Sequence, residues 1–323
     1  MILDFVVSIG IADNQTVQPY KYYGWKGECI YRFQNKNNKY FLLLDVKGNI
    51  IFQSQEIGFI EDLNSIEIDN RVDFVVLFDD MVKNPTQDKF FLPSLYYLKN
   101  YNKKCPIVLG GCGRSGTTLL LSILGAHNQI YSIPGESFSF TPKPFRLSII
   151  KNSLKNISVE FNKRRWCEKT PKNVTAFRDI YNLFDGHVKL VHIIRDGRNV
   201  VTSSHPNHKY KKYWVDVERW VNDTSAGLSC CDIVYAIRYE DLVSYPKEQL
   251  KKLCEYLEED FDEQLLKYYE KTTVISDPGW VGGPSPISNH KLDRWKNEIY
   301  KERIDEFMKN NDAVNLLKKL GYL

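Results

Sequence analysis

The hydrophobic pattern changes character at about residue 100. Before that point, short runs rich in β-branched and aromatic residues recur at Cys29–Phe33, Tyr40–Val46, Ile50–Gln53 and Val72–Phe78, with turn signals at Asn35–Asn38 and Lys47–Asn49. They predict a small β-rich N-terminal module over residues 1–100. Its first strand is the apolar segment Ile2–Ala12, and the polar stretch Met81–Lys89, broken by Pro85, is the linker out of it. After that point, strand-like runs alternate with helical periodicity. Ile107–Leu109 reads as a strand, Thr117–Ala126 as a helix, Gln129–Ile133 as a strand and Val188–Ile194 as a buried strand. A further strand ends at Ile237, and helices cover Pro246–Leu257 and Asp262–Glu270. This alternation predicts an α/β domain over residues 101–323, with a central parallel sheet flanked by helices.

Between the first strand and first helix of that domain lie Gly110, Gly111, Gly113 and Gly116. A glycine-rich turn that opens a helix leaves the first backbone N–H groups without carbonyl partners, at the positive end of the helix dipole. Arg114, Ser115, Thr117 and Thr118 add a fixed charge and three hydroxyls, so the expected ligand is a phosphate or its sulfate analogue. Gly111 to Gly116 has the glycine spacing of the nucleotide-binding loop G-x-x-x-x-G-K-[ST], which makes the domain P-loop-like. Thr117 stands where that pattern has lysine. The charge comes instead from Arg114, inside the loop.

G-x-x-R-S-G-T-T after a strand resembles the 5′-phosphosulfate loop of sulfotransferases that use 3′-phosphoadenosine 5′-phosphosulfate (PAPS). The tyrosylprotein and bacterial branches are the nearest, since they carry arginine where cytosolic members carry lysine. The resemblance implies that Gly113, Arg114, Ser115, Gly116, Thr117 and Thr118 hold the 5′-phosphosulfate. Further motifs follow in the family's order, over about residues 105–300. Arg195 ends the strand Val188–Ile194, and Ser203 stands eight positions on, which is the family's pair for the 3′-phosphate. A guanidinium suits that role because its planar fork meets two phosphate oxygens at once. The family's basic residue four positions after the serine is replaced by Asn207, with Arg198, Lys209 and Lys211 as candidates to compensate.

Gly135-Glu136-Ser137 resembles the G-E-E-T segment whose first glutamate is the general base, implying that role for Glu136 with Ser137 in the second acidic position. The residues alone also allow Glu136 to pair with Lys143 or Arg146. Trp166 to Asn173 resembles the bacterial E-K-T-P segment, which implies that Lys169 stabilises negative charge on the phosphosulfate. Thr170 and Pro171 read as the N-cap and first-turn proline of a helix. Ile237 to Leu242 resembles R-Y-E-D-L, where Tyr239 lies near the adenine, either stacking on it or packing between strand and helix. The glycine- and proline-rich loop Gly279–Ser288 and the pair Arg294-Trp295 match the family's late loop, making Ser285, Ser288 and Arg294 further phosphate ligands.

Composition adds limits. The chain has 323 residues, 43% hydrophobic and 26% charged, with a formal net charge of +4. That is an ordinary globular balance, with too small a basic excess to argue for nucleic acid. The seven cysteines, Cys29, Cys105, Cys112, Cys167, Cys230, Cys231 and Cys254, form no C-x-x-C pair, and the six histidines show no ligand spacing, so no metal site is expected. His192 reads as a satisfied core residue. Ile2–Ala12 is too short to span a bilayer, no basic residue precedes it as a signal would require, and no later apolar stretch approaches a membrane helix. A cytoplasmic location is expected. The aromatic cluster Tyr20, Tyr22, Tyr23 and Trp25 either stacks on a planar acceptor or packs a small sheet.

The expected activity is transfer of a sulfuryl group from PAPS to a hydroxyl or amine, the acceptor being a small molecule, a glycan or a peptide. The rival readings are a nucleotide kinase, which calls for a loop lysine, and a non-catalytic nucleotide- or glycan-binding module. Acceptor identity and oligomeric state are open.

Overall fold

The computed structural model describes residues 41–44, 50–53, 74–77, 90–91, 98, 104–141, 147–155, 163, 165–204, 212–274, 283–289 and 292–323. The expected first strand 2–12, the aromatic cluster 20–25 and the linker 81–89 lie outside these residues. So do Lys143, Arg146, Asn207, Lys209 and Lys211. The chain separates into two compact units, Met1–Tyr101 with Pro142–Asn156, and Asn102–Thr141 with Ile157–Leu323.

In the first unit, β1 (Phe41–Leu44), β2 (Ile50–Gln53), β3 (Phe74–Leu77) and β4 (Phe90–Phe91) form an antiparallel sheet in the order β2-β1-β3-β4. The second unit opens with β5 (Ile107–Gly110), α1 (Thr117–Gly125) and β6 (Ile130–Ser132). The helix α2 (Leu147–Lys155) follows in sequence and belongs to the first unit. The second unit resumes with β7 (Arg165–Lys169), α3 (Phe177–Leu183), β8 (Lys189–Ile194), α4 (Gly197–Val201), α5 (Val217–Leu228) and β9 (Val234–Arg238). It closes with α6 (Tyr239–Ser244), α7 (Pro246–Leu257), α8 (Lys301–Met308) and α9 (Asn311–Lys319).

The five strands β5 to β9 form a parallel sheet in the order β6-β7-β5-β8-β9. β5 lies in the middle, and all four of its residues are buried, which explains its unbroken apolar run. From β5 the chain runs out to β6, returns to β7 and crosses to β8, so the direction of winding reverses around β5. In open α/β sheets that reversal is where ligands sit, at the carboxyl ends of the strands. Register makes the convergence concrete: Leu109 lies beside both Lys169 and Val191, and Gly110 beside His192. The ends of β5, β7 and β8 therefore reach one edge together.

Apolar residues of α1 (Leu120, Leu121, Ile123, Leu124) and α7 (Leu250, Leu253, Leu257) pack with Ile107, Leu109, Val191 and Ile193 in one core cluster. A second cluster joins Val200 and Val201 of α4, Trp220 of α5, Phe307 of α8 and Leu316 and Leu317 of α9. Arg165 is buried at the start of β7 but satisfied, donating to the carbonyls of Cys105 and Leu257 and to Glu259. Lys163 donates to the carbonyls of Gly125, His127 and Ile130 at 2.8–3.1 Å, closing the carboxyl end of α1.

Two sequence expectations are corrected. His192 is buried as expected but not satisfied, since neither ring nitrogen has a hydrogen-bond partner among the described residues. Thr170 stands at the N-cap position and Pro171 in the first turn, but the helix they open is a 3₁₀ helix, Pro171–Ala176, before α3 begins. The Thr170 hydroxyl makes no cap bond, because it is engaged by a neighbouring carboxylate.

Candidate active site

The glycine loop is shaped by close approach. A Cβ on Gly111 would lie 2.5 Å from the Ile193 carbonyl oxygen, and one on Gly116 would lie 2.5 Å from the Tyr239 ring. Gly116, at φ +100°, is also the residue from which α1 starts, with no side chain capping the helix. Arg114 adopts φ +70°, a left-handed backbone that turns the loop between Gly113 and Ser115. Two backbone bonds hold the turn: Ser115 N–H to the Cys112 carbonyl (3.1 Å) and Gly111 N–H to the Pro171 carbonyl (3.0 Å). The second of these ties the loop to the segment that follows β7.

Lys169 ends β7, and its side chain is fully buried. Its Nζ donates to Thr118 Oγ1 at 3.2 Å and to Glu136 Oε1 at 3.1 Å. Glu136 sits on the turn after β6, with its side chain 32% exposed. That turn is sharp, because Gly135 (φ +82°) and Phe138 (φ +52°) both adopt left-handed backbone on either side of Glu136-Ser137. For phenylalanine this conformation costs roughly 1–2 kcal/mol, so something else must hold it. The structure thus brings together three residues distant in sequence, Thr118, Glu136 and Lys169.

Thr118 and Glu136, but not the buried Lys169, border a cleft of about 140 Å³, lined also by Gly113, Arg114, Thr117 and Phe138. Thr170, Pro171, Lys172, Trp214 and Arg219 complete it. The last three were not singled out from sequence. Their signal is spatial: Lys172 Nζ (2.7 Å) and Arg219 Nε (3.3 Å) both donate to the carboxylate of Asp223, which is completely buried in α5. Beneath them, burial pushes the Cys112 thiol pKa up, with Asp223 adding to the effect.

Arg195, Ser203 and Arg294 also come together. Ser203 Oγ donates to the Asn199 carbonyl (2.7 Å) and accepts from Arg294 Nη2 (2.6 Å). Arg195 donates from Nη1 to the Arg114 carbonyl (3.1 Å), and its guanidinium lies 4.1 Å from the Tyr239 ring centroid. Tyr239 therefore packs between Gly116 and Arg195. Asp196 pairs with Arg198 at 2.8 Å. Burial pulls the Arg195 pKa down, opposed by Tyr239 and Glu240. The Nε atoms of Arg195 and Arg294 are buried with no hydrogen-bond partner among the described residues. Buried guanidinium nitrogens of this kind fit an incoming anion with several oxygens.

A model of the sulfotransferase family matches residues 144–263, a span that holds the Lys169 and Arg195 segments. The protein-tyrosine sulfotransferase A of Caenorhabditis elegans is 22% identical over 266 residues, 69% of this chain and 68% of that protein. The chain is similar to the sulfotransferase family. The protein-tyrosine sulfotransferase of Drosophila melanogaster is 21% identical over 287 residues, 73% of this chain and 55% of the fly protein. The chain thus spans about two thirds of one relative and about half of the other. The sulfotransferase domain from the curacin biosynthetic pathway superposes with a TM-score of 0.50 at 18% identity, over 69% of this chain and 99% of that domain, which is a likeness of fold.

Ser285 and Ser288 are exposed on the segment 283–289, where the Ser285 carbonyl accepts the Tyr268 hydroxyl. The residues expected to compensate for Asn207 divide. Arg198 is committed to Asp196, to the Tyr322 carbonyl and to the Trp295 ring, while Lys209 and Lys211 lie outside the described residues. Among the described residues no helix is long and apolar enough to cross a membrane, and no cluster of three or more His, Cys, Asp or Glu side chains is placed to hold a metal.

Proposed function

We infer that this sulfotransferase moves the sulfuryl group of PAPS onto an acceptor hydroxyl or amine. The observation that carries the reading is the Lys169–Glu136 contact beside the glycine loop, with Glu136 lining a cleft shared with Arg114, Thr117 and Thr118. PAPS supplies an activated sulfuryl group and a good leaving phosphate. The chain supplies position and charge. The glycine loop, with Gly113, Arg114, Ser115, Gly116 and the hydroxyls of Thr117 and Thr118, holds the 5′-phosphosulfate. The Arg195, Ser203 and Arg294 group holds the 3′-phosphate, for which the buried Nε atoms of both arginines are suited. Tyr239, Ser285 and Ser288 are the remaining candidates to touch the nucleotide.

Glu136 accepts the proton of the acceptor as its oxygen or nitrogen bonds to sulfur, and the sulfur–oxygen bond to the phosphate breaks. Lys169 meets the negative charge that grows on the departing phosphate. Because Lys169 touches both Glu136 and Thr118, it links the proton-accepting side of the cleft to the anion-holding side. The acceptor is a small molecule, a glycan or a peptide, and the protein works in the cytoplasm.

Calorimetry with PAP (the desulfated product), ATP and GTP tests the reading. PAP binds best if it is right; tighter binding of ATP returns the kinase reading. Transfer of label from radioactive PAPS across a panel of phenol, sugar, amine and peptide acceptors then identifies the substrate class.

A further inference from the structure

Glu168 precedes Lys169 on β7, and alternation along a strand sends the two side chains to opposite faces. Both nevertheless reach the same turn. Lys169 takes Glu136 at 3.1 Å, and Glu168 Oε1 takes the hydroxyl of Ser137 at 2.7 Å, so neighbours on the strand grip neighbours on the turn. Glu168 is buried and accepts two further bonds, from Thr170 Oγ1 (2.7 Å) and from Asn173 Nδ2 (2.6 Å).

The donors carry the grip outward. Ser137 Oγ accepts from Ser139 N–H (3.1 Å), and Thr170 Oγ1 accepts from Phe138 N–H (3.0 Å). Each hydroxyl already receives a backbone N–H, so its own hydrogen turns to the carboxylate. The Asn173 amide nitrogen gives its other hydrogen to the Leu109 carbonyl (3.0 Å), just before the glycine loop. All three hydrogens arriving at Glu168 meet an acceptor, which is the pattern of an ionised carboxylate. Burial raises the pKa of Glu168, and its three donors, with the neighbouring Lys169, oppose that rise. These bonds explain how Phe138 keeps its left-handed backbone: its own N–H and that of the next residue are both tied, through one hydroxyl each, to one carboxylate.

We propose that Glu168 is the positioning residue of the active centre, fixing the turn 135–139 so that Glu136 lies against Lys169 and Phe138 faces the cleft. The proposal rests on Glu136 and Lys169 being the reacting pair. It adds that their geometry is held from beneath by a carboxylate that touches neither donor nor acceptor. Ser137, the departure from the family's second acidic residue, then has a role of its own as the link from the turn to Glu168.

The test compares Glu168→Gln, Ser137→Ala, Thr170→Val and Thr170→Ser in the full chain. Glu168→Gln should lower kcat about 10–100-fold and Ser137→Ala about 3–10-fold, with PAP affinity within about 2-fold of wild type. Thr170→Val should lose about 10-fold in kcat and Thr170→Ser should recover to within about 2-fold, since only the hydroxyl matters. Hydrogen exchange supplies a readout that needs no substrate: in Glu168→Gln the Phe138 and Ser139 amides should exchange at least about 10-fold faster while those of β5 and α1 keep their protection. Unchanged kcat, unchanged exchange at those two amides, or a fall in PAP affinity parallel to the fall in kcat would each overturn the proposal. If Glu168→Gln does not fold, Ser137→Ala and the two Thr170 variants decide by the same criteria. A Glu136→Gln enzyme that stays active would remove Glu136 as base, a separate failure, while the exchange result would still judge the grip on the turn.

Discussion

At the Lys169 end of the site, the charged side chains are partnered within the chain: Lys169 binds Glu136 and Thr118, and Glu168 gathers Ser137, Thr170 and Asn173, although Asn173 Oδ1 is itself buried without a partner among the described residues. At the Arg195 end, two guanidinium groups each keep a buried Nε without a hydrogen-bond partner among the described residues. Leaving such a donor unsatisfied costs about 1–3 kcal/mol, a cost that a bound anion removes. Under the proposed function, the contrast would separate two tasks that a phosphosulfate-using enzyme must perform. Chemistry needs groups held in place before the substrate arrives, so their bonds are made within the chain. Binding needs donors whose bonds are completed by the ligand.

The sharpest way to break this comparison is at the partnered end. Glu136→Gln keeps the shape of the side chain and an oxygen for Lys169, but removes its affinity for the acceptor proton. Turnover should fall by about 10²–10⁴, or about 3–5 kcal/mol, with PAP affinity within about 2-fold of wild type. Steady-state rates with PAPS and calorimetry with PAP measure the two quantities. Near-normal turnover would place the base elsewhere, and collapse of PAP binding would make Glu136 structural.

At the unpartnered end the prediction inverts. Arg195→Ala should weaken PAP by about 2–4 kcal/mol and leave the affinity for adenosine 5′-phosphosulfate, which lacks the 3′-phosphate, nearly unchanged. Calorimetry on the two ligands reads the difference directly. Equal losses for both would mean that Arg195 acts on the glycine loop through the Arg114 carbonyl instead of on the 3′-phosphate.

The two ends were not equally legible in the sequence. The loop 110–116, the buried strand 188–194 and the arginine closing it are local patterns, and an apolar run ended by glycine or charge marks them without knowledge of neighbours. Which side chains meet is a matter of register. Lys169 reaches Thr118 because β7 lies beside β5 with Leu109 opposite Lys169, and no spacing along the chain encodes that pairing. Thr170 shows the same limit. A threonine before proline at a helix start reads as a cap, and the competing carboxylate is two residues back on a strand, where local rules do not look for it. Trp214 and Arg219 carry no motif at all; the buried Asp223 brings Arg219 to the cleft from one turn further along α5.

His192 tests whether an unpartnered buried nitrogen always signals a ligand. It lies inside β8, with the Phe177 ring 6.2 Å away and α5 so close that a Cβ on Gly227 would fall 2.2 Å from the imidazole. It borders no cleft named above, so here the unmade bond is a stability liability. Burial lowers the His192 pKa from 6.5 to about 4. Between those values the unfolded chain binds the proton and the folded chain does not, so stability falls as pH falls through this window. The loss should approach about 3 kcal/mol by pH 4. Urea unfolding at several pH values measures it, and His192→Leu should flatten the profile between pH 6.5 and 4. An unchanged profile would assign the acid sensitivity to other groups.

The smallest expected effect sharpens the role of Tyr239, which stands between the two ends, against Gly116 on one side and Arg195 on the other. A guanidinium 4.1 Å from a ring centroid gains about 0.5–1 kcal/mol, more where water is excluded. If the ring serves to hold Arg195 for the 3′-phosphate, Tyr239→Leu should weaken PAP by that amount and Tyr239→Phe should not, because the π-face is kept. The ligand series then separates the two roles open to this residue. Acting through Arg195, Tyr239→Leu weakens PAP but leaves 5′-AMP unchanged, since the latter has no 3′-phosphate. Stacking on the base instead, it weakens both alike, because both carry adenine. A Leu variant that binds PAP as tightly as wild type would show that the ring only fills the space beside Gly116.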